Sequence, residues 1–467
     1  MTKYKIGIFM FTRDMRLDDN TTLLKALHEC DKVIPIFIFN PKQITNKNEY
    51  KSNNCIQFMC ECIDDLNIQL NKKNSKLFLF YGNPIKVLQS LISNNININA
   101  IYFNKDYTPF ATKREYDINE LCKKKQIQLC MEEDYLLTGI DKVHNVSGNS
   151  YLKFTPFMRT AKKLKVREPI KNNKSNYIPH NYKLNNKYEY IDDYHNFYKY
   201  NEHNSVIGGR NNAIKILNSL DDFKKYSTER NFPSTETTHL SAYLKFNVVS
   251  IREVYYAVKN KLNINTKLID QLYWRDFYMI IAYNHPHIFG HNMKQNYKMK
   301  WKNNKSLFEK WKNGITGIPI IDASMRQMNT IGWMHNRPRM IVANFLIKVM
   351  QIDWRYGEKY FAQKLVDYDP CNNNGGWQWS AGTGTDSQPY FRYFNPWSQS
   401  EKYDYDCKYI KKWIPELQNV DNKDIHKWYL KYNDSKYSHI KYIKPIYNND
   451  QISEQVKKTI QMYKNVA

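Results

Sequence analysis

A doubly wound, parallel α/β domain followed by an all-helical domain is the fold that this sequence predicts. Three observations lead there. Short apolar runs alternate with amphipathic stretches over the first 135 residues. Beyond about residue 206 apolar side chains recur at helical spacing, with no convincing strand pairs. All ten tryptophans lie at position 274 or later, so the aromatic load is segregated into the helical half, where a large planar ligand could be held.

The apolar runs Ile6–Phe11, Val33–Phe39, Leu77–Tyr81, Ala100–Phe103 and Ile127–Met131 suit strands buried on both faces. Between them, Leu23, Leu24 and Leu27 fit one helix face, and Ile56, Met59, Ile63 and Leu66 another. Strand–helix–strand alternation of this kind predicts an open sheet with helical crossovers over residues 1–135. No G-x-G-x-x-G follows the first strand, so the dinucleotide fingerprint is absent. Residues 136–205 are rich in Asn, Lys and Tyr with little periodicity and read as a linker, interrupted by an amphipathic segment near Phe154–Leu164. Residues 206–467 form the expected helical domain, with helices near Ile214–Leu220, Val248–Val258, Leu268–Ile281 and Ile341–Met350.

The 467 residues suffice for two or three domains with a sizeable core. A net charge of +25 favours a polyanionic partner, most often nucleic acid. A composition heavy in Lys, Asn, Ile and Tyr accounts for roughly half of that excess, so charge alone decides little. Eight cysteines at 30, 55, 60, 62, 122, 130, 371 and 407 form no C-x-x-C pair, which argues against a zinc ribbon and for reduced thiols. The run Ile6–Phe11 is too short for a signal peptide, and no segment approaches a membrane span. A soluble intracellular protein is expected, in the cytoplasm or wherever the genome resides.

Residues 372–397 are the most informative stretch. Trp377 and Trp379 follow an Asn run and a Gly-Gly pair, and precede a Gly/Thr/Ser loop and an aromatic cluster. Gly and Asn cost helix stability, so this composition suits a ligand site better than a plain core helix. Asp367 and Asp369 lie just before, and Asn373 is within its Asn run. Paired carboxylates suggest acid–base work or a metal, but no third ligand falls at metal spacing nearby. His285, His287 and His291 likewise lack a completing carboxylate or Cys. Thr237, Thr238, Leu240 and Ser241 open a predicted helix, where hydroxyls and N–H groups serve either as a cap or as a diphosphate cradle. For Trp301, Trp354 and Trp377, core packing is the plain expectation for each taken singly.

Several motifs in order carry a resemblance. They are T-R-D-M-R-L-D-D-N at 12–20, T-T-H-L-S-A-Y-L at 237–244, W-R-D-F-Y at 274–278, G-I-P-I-I-D-A-S-M-R-Q-M at 317–328, G-W-M-H-N-R at 332–337, I-D-W-R-Y-G-E at 352–358 and N-N-G-G-W-Q-W at 373–379. Together they resemble the class I cyclobutane pyrimidine dimer photolyases of the photolyase/cryptochrome family. That resemblance implies one non-covalent FAD, UV-damaged DNA carrying a cyclobutane pyrimidine dimer as partner, a monomer, and no membrane. It implies that Trp377, Trp354 and Trp301 form an electron-transfer chain, Trp377 nearest the flavin and Trp301 nearest solvent. Tyr226, Thr237, Thr238, Leu240 and Ser241 would hold the flavin phosphates. Arg339 would pair with Asp367, Asp367 and Asp369 would contact the flavin, and Asn373 would face its N5. Arg230, Gln271, Trp274, Asn336, Arg337, Met340, Trp379 and Gln399 would contact the lesion and its DNA, which this family flips out of the stack.

The chain departs from the family pattern in places. Gln271 stands where dimer photolyases have Glu, as in (6-4) photolyases and animal cryptochromes. His335-Asn336-Arg337 keeps the dimer-photolyase form. Pro338 replaces an aliphatic residue and is tolerable only where a helix begins. Thr238-His239 replaces Ser-Arg, and Phe11-Thr12-Arg13 replaces Trp-Phe-Arg. The antenna site is unspecified: Tyr107-Thr108-Pro109-Phe110 does not match the Asn-Glu pair that some photolyases use for folate, and a folate, a deazaflavin, another flavin or nothing could sit there. The alternatives are a (6-4) photolyase and a cryptochrome-type photoreceptor.

Overall fold

The five apolar runs form one parallel sheet, strand order β3-β2-β1-β4-β5. The computed structural model describes residues 2–95, 97–295, 298–386 and 391–465. The strands are β1 (Tyr4–Phe11), β2 (Cys30–Phe39), β3 (Phe78–Tyr81), β4 (Ile98–Asn104) and β5 (Gln128–Glu132). Ile8 of β1 pairs with Ile34 on one side and Ile101 on the other. The connecting helices are α1 (Thr21–Glu29), α2 (Pro41–Ile44), α3 (Asn53–Asn71), α4 (Pro84–Asn94) and α5 (Pro109–Lys125). Their starts are written locally. Asn20, Asn40, Ser52, Asn83 and Thr108 cap them with side-chain oxygens, and Pro opens α2, α4 and α5. Ile8, Met10, Ile34, Ile36, Phe78, Phe80, Ile101 and Phe103 share a core with Val87, Leu88 and Leu91 of α4 and Ile118 of α5. Alternate strand residues facing one helical layer are the signature of a sheet covered on that face.

The expected linker has a structural task. Tyr81 donates its N–H to Tyr188 O at 2.9 Å, and Tyr190 donates to Leu79 O at 2.9 Å. The segment therefore closes the open edge of β3, a row of backbone groups that would otherwise invite pairing with another chain. Its amphipathic part forms α6 (Phe154–Ala161).

The chain continues through α7 (Arg210–Asn218), α8 (Tyr226–Glu229), α9 (Leu240–Lys245), α10 (Ile251–Leu262), α11 (Lys267–Asn284), α12 (Lys305–Lys312), α13 (Pro319–Ile331), α14 (Asn336–Lys348), α15 (Trp354–Lys364) and α16 (Pro370–Ala381). It ends with α17 (Pro396–Tyr403), α18 (Lys408–Trp413), α19 (Asn422–Ile425), α20 (Trp428–Lys431) and α21 (Asn449–Lys464). Two compact units result. The first comprises residues 1–201, 206–224 and 238–286; the second comprises 202–205, 225–237 and 287–467.

In the first unit, α10 is tied to the sheet by buried charge. Arg252 binds Asp19 at 2.7 Å through Nε and Asp134 at 2.7 Å through Nη2. Arg16 binds the other oxygen of Asp134 and donates to Asn247 O at 3.0 Å. Burial alone would raise the Asp134 carboxyl, but Arg16 and Arg252 outweigh it and hold it below the ordinary carboxylate range. The R-D-M-R-L-D-D-N motif is thus the sheet's half of this lock.

In the second unit, α14 is the central helix, in contact with α13, α15, α16, α17 and α21. Ile341 through Lys348 are all buried, as befits a helix covered on every side. Pro338 falls in its first turn, where the N–H would have no helical partner, so the proline costs little there.

Candidate functional site

Helix α16 carries the densest group of predicted site residues. Asp369 caps it by accepting the Asn372 N–H at 3.0 Å, and Gly382 at φ 73° ends it. Asn and Gly are weak helix formers, so the neighbours hold this helix in place. Asn374 donates to Ile288 O at 3.2 Å, and Gln378 donates to Ile288 O and His291 O, each at 3.1 Å.

Asn373 and Trp377, four residues apart, share one face of α16. Asn373 donates its Nδ2 to the Glu358 carbonyl at 3.0 Å. The buried Trp377 ring meets Phe361 edge-on at 4.9 Å and Trp311 at 6.3 Å. Trp354 is fully buried and donates its indole N–H to Asn292 at 2.9 Å. Trp301 is half-buried. The chain beside it docks on the entry to α15: Lys302 donates to Gln351 O at 2.9 Å, and Asn303 accepts the Asp353 N–H at 2.9 Å. One turn beyond Trp354, Gly357 lies directly against the Trp377 ring. The three tryptophans therefore occupy adjoining segments, with Trp301 half-buried and Trp354 and Trp377 both buried.

Gly357 exists for that contact. A Cβ there would overlap the Trp377 ring and approach Leu346 Cδ2 to 2.7 Å. Gly357→Ala gains up to about 1 kcal/mol of helix propensity. The overpacking costs about 1–3 kcal/mol, and the clash wins. The expected result is a lowered unfolding midpoint together with altered Trp377 fluorescence; an unchanged midpoint would show that the ring can give way.

Arg339 is locked in place. Its Nε donates to Met334 O at 2.7 Å and its Nη2 reaches Asp367 at 2.9 Å, with the Asp367 side chain 4% exposed. The predicted Arg339–Asp367 pair is present. Asp369 is occupied as a cap, with Asn372 Nδ2 also on its Oδ1 at 2.9 Å.

A second group combines cations with aromatic rings. Arg337 stands over Tyr403 at 4.3 Å and donates to Asn231 at 2.8 Å. Burial lowers its pKa, opposed by Tyr403 and helped by the like charge of Arg230. Arg392 lies over Trp379 at 4.9 Å, and Phe394 packs on Trp379 at 6.5 Å. Asn336 Nδ2 sits 3.8 Å from Met340 Sδ. Gln399 and Tyr226 are half-buried. His335 caps α14 through its ring nitrogen, which accepts the Arg337 N–H at 3.1 Å, so this histidine is structural.

The first unit holds Gln271, Trp274, Thr238, Leu240 and Ser241, while Thr237 ends a segment of the second. Trp274 stacks on Phe154 at 3.6 Å with 9° between the rings. Gln271, one turn earlier, donates back to Lys267 O at 3.2 Å. Neither threonine caps α9: its N-cap is His239 in the left-handed region at φ 49°, with no side-chain cap bond. Thr238 and Leu240 are buried and Ser241 is exposed. Tyr107 is enclosed, with Tyr135 at 6.4 Å and Tyr283 at 5.9 Å both edge-on to it, so it offers no open face to an antenna chromophore. Thr108 and Pro109 are spent on starting α5.

Among the described residues, no group of three or more His, Cys, Asp or Glu could hold a metal, and no helix is long and apolar enough to cross a membrane. Residues 387–390 of the aromatic stretch lie outside the described residues.

A five-stranded parallel sheet and a helical unit with buried tryptophans, a fixed Arg–Asp pair and polar side chains around α16 define a two-part protein with the α/β and helical domains of the photolyase fold. The chain belongs to the photolyase/cryptochrome family. Residues 8–174 match the family model of DNA photolyase, and residues 268–462 match that of the FAD binding domain of DNA photolyase. A deoxyribodipyrimidine photo-lyase of Buchnera aphidicola is 34% identical, aligned over 98% of this chain and 96% of its own length. An archaeal photolyase from Sulfolobus tokodaii, solved with two FAD molecules, is 41% identical with a TM-score of 0.87 over 99% of this chain and all of its own. A class III photolyase from Agrobacterium tumefaciens is 27% identical with a TM-score of 0.90, covering 100% of this chain and 99% of its own.

FAD is thus the cofactor of this chain, and the residues present fit it. In the second unit, Glu358 Oε2 is buried beside Asn373 and Asn374 with no hydrogen-bond partner among the described residues, where a further polar group can be received. Sequence reasoning missed Glu358, Arg392, Phe394, Tyr403 and Asn231. Only Glu358 carried a signal, as the last residue of the I-D-W-R-Y-G-E motif.

Proposed function

We propose that this protein is a light-dependent DNA repair lyase that splits cyclobutane pyrimidine dimers. Reduced FAD, when bound and excited by blue light, supplies one electron to the dimer and takes it back after the ring opens. The chain's residues bind, orient and shield; no acid–base pair is needed. Arg339 and Asp367 fix the flavin, Asn373 presents a neutral amide to its N5, and Tyr226, Thr237, Thr238, Leu240, Ser241 and Asp369 complete its binding. Arg230 and Arg337 bind phosphates, while Trp274, Met340 and Trp379 offer apolar walls to the flipped bases, with Gln271, Asn336 and Gln399 as hydrogen-bonding partners. In this reading residues 1–135 form the antenna domain, 136–205 the linker, and 206–467 the flavin- and DNA-binding domain.

The observation that carries the proposal is that one helix, α16, brings together Asn373, the buried Trp377 and the arginine-covered Trp379. Photoreduced protein illuminated with a dimer-containing oligonucleotide should restore thymine absorbance. No repair of that DNA, with repair of (6-4) DNA instead, would move the assignment to the lesion that Gln271 favours. Failure on both, with reversible flavin photoreduction, would favour a cryptochrome-type receptor. Trp301→Phe should slow photoreduction and spare repair by pre-reduced enzyme; unaltered photoreduction would remove Trp301 from the electron path.

A further inference from the structure

Lys348 is 4% exposed, within the most enclosed helix of the second unit. No acidic partner is recorded for it among the described residues. Its Nζ donates to the carbonyl of Arg392 and lies 4.7 Å from the Phe391 ring. Burial, with the like charge of Arg392, pulls its pKa down to about 7. A buried ammonium is costly unless its hydrogen bonds do something that an apolar side chain could not.

One turn earlier on α14, Asn344 accepts the Phe394 N–H at 3.0 Å. Two polar side chains on one helix face thus grip alternate residues, 392 and 394, of one extended segment. Both gripped residues face Trp379: Arg392 covers its ring at 4.9 Å, and Phe394 packs on it at 6.5 Å. The far end of α14 carries Asn336, Arg337 and Met340, so the helix that presents those groups also sets the position of this segment.

We propose that Lys348 is a positioning residue for lesion binding: by holding the Arg392 carbonyl from inside the helical unit, it fixes the Arg392 guanidinium over Trp379 in the geometry that receives damaged DNA. This rests on the repair reading above. Lys348 touches neither DNA nor flavin; it acts through Arg392.

Lys348→Met keeps length and apolar volume but loses the donor to the Arg392 carbonyl. Affinity for dimer-containing DNA should fall about tenfold, the order expected when a support and not a direct contact is lost. FAD content and light-driven turnover of the saturated complex should stay unchanged. Lys348→Gln, which retains a donor, should restore part of the affinity and serves also if the Met variant folds poorly. Arg392→Ala should weaken binding by itself and abolish the further effect of Lys348→Met. Additive losses in that double mutant would overturn the proposal. Hydrogen exchange at the Phe394 amide gives a readout without DNA: it should quicken in Lys348→Met, and protection equal to wild type would also overturn the proposal. Wild-type protein that binds no damaged DNA would instead sink the repair reading, and the Lys348 role with it.

Discussion

Asp134→Ala is expected to be the most damaging single substitution in the first unit. The Asp134 side chain is fully buried and answers two buried guanidinium groups, Arg16 at 0% and Arg252 at 6% side-chain exposure. It also accepts the N–H of Thr21 at 3.1 Å and its hydroxyl at 2.6 Å, which fixes the entry to α1. Removing the carboxylate leaves two positive charges in the interior, and Asp19, which remains on Arg252, is already shared with Arg167. Breaking a buried pair from one side costs about 3–5 kcal/mol, far more than a surface pair is worth. Asp134→Asn keeps the volume and one accepting oxygen, but it loses the charge and turns its other arm into a donor facing donors, and should fall between wild type and Ala. The pH dependence has a defined sign. The folded carboxyl titrates below its ordinary value of 3.8, so the unfolded chain takes up the proton first. Its stabilising contribution is complete above that value and is lost as pH falls beneath it. Denaturant unfolding of wild type and both variants between pH 3 and 7 would test this. An Ala variant as stable as wild type at pH 7 would mean that Asp19 alone satisfies both arginines.

That network shows where sequence reading stops. R-D-M-R-L-D-D-N was legible as a family motif, but its partners Asp134, Asn247 and Arg252 lie more than 100 residues away, and no periodicity links them. The strands were legible because β-branched and aromatic runs bounded by Asn and Pro caps are local signals. The edge closure by Tyr188–Tyr190 was not, because a segment without alternation pairs through backbone alone. At the site, residue types within one helix, Asn373, Trp377 and Trp379, could be read from their motif. Arg392 and Lys348 could not: a lysine in an apolar helix and an arginine among aromatics acquire meaning only when the carbonyl of one meets the ammonium of the other.

Glu358→Gln is expected to stabilise the protein at alkaline pH and to flatten its pH dependence. Glu358 is 3% exposed on α15, and burial pushes its carboxyl up to about 7; the hydrogen bond from Asn374 and the charge of Arg355 only partly offset this. Between its ordinary value of 4.5 and about 7, the folded protein keeps the proton that the unfolded chain releases. Stability therefore falls as pH rises through that window, the reverse of the Asp134 case. A displacement of this size corresponds to roughly 3 kcal/mol at pH 8. Gln carries the neutral form permanently, keeps an acceptor for Asn374, and adds a donor where Oε2 now has no partner. The unfolding midpoints of wild type and Glu358→Gln should coincide near pH 4.5, separate up to about pH 7 and run parallel beyond it, with the variant the more stable. Curves that run parallel between pH 4.5 and 7 would show that Glu358 ionises freely in the folded state. The same carboxyl sits beside Asn373, whose amide donates to the Glu358 backbone carbonyl. An acid left under-satisfied at that point is a stability cost that a core of similar volume would avoid, as expected where a residue is retained for a site and not for the fold. The comparison should therefore be run on apo and FAD-loaded protein. If the carboxyl serves the flavin site, loading will narrow the difference between wild type and variant, because bound FAD gives Oε2 a partner; an unaltered difference would confine Glu358 to packing.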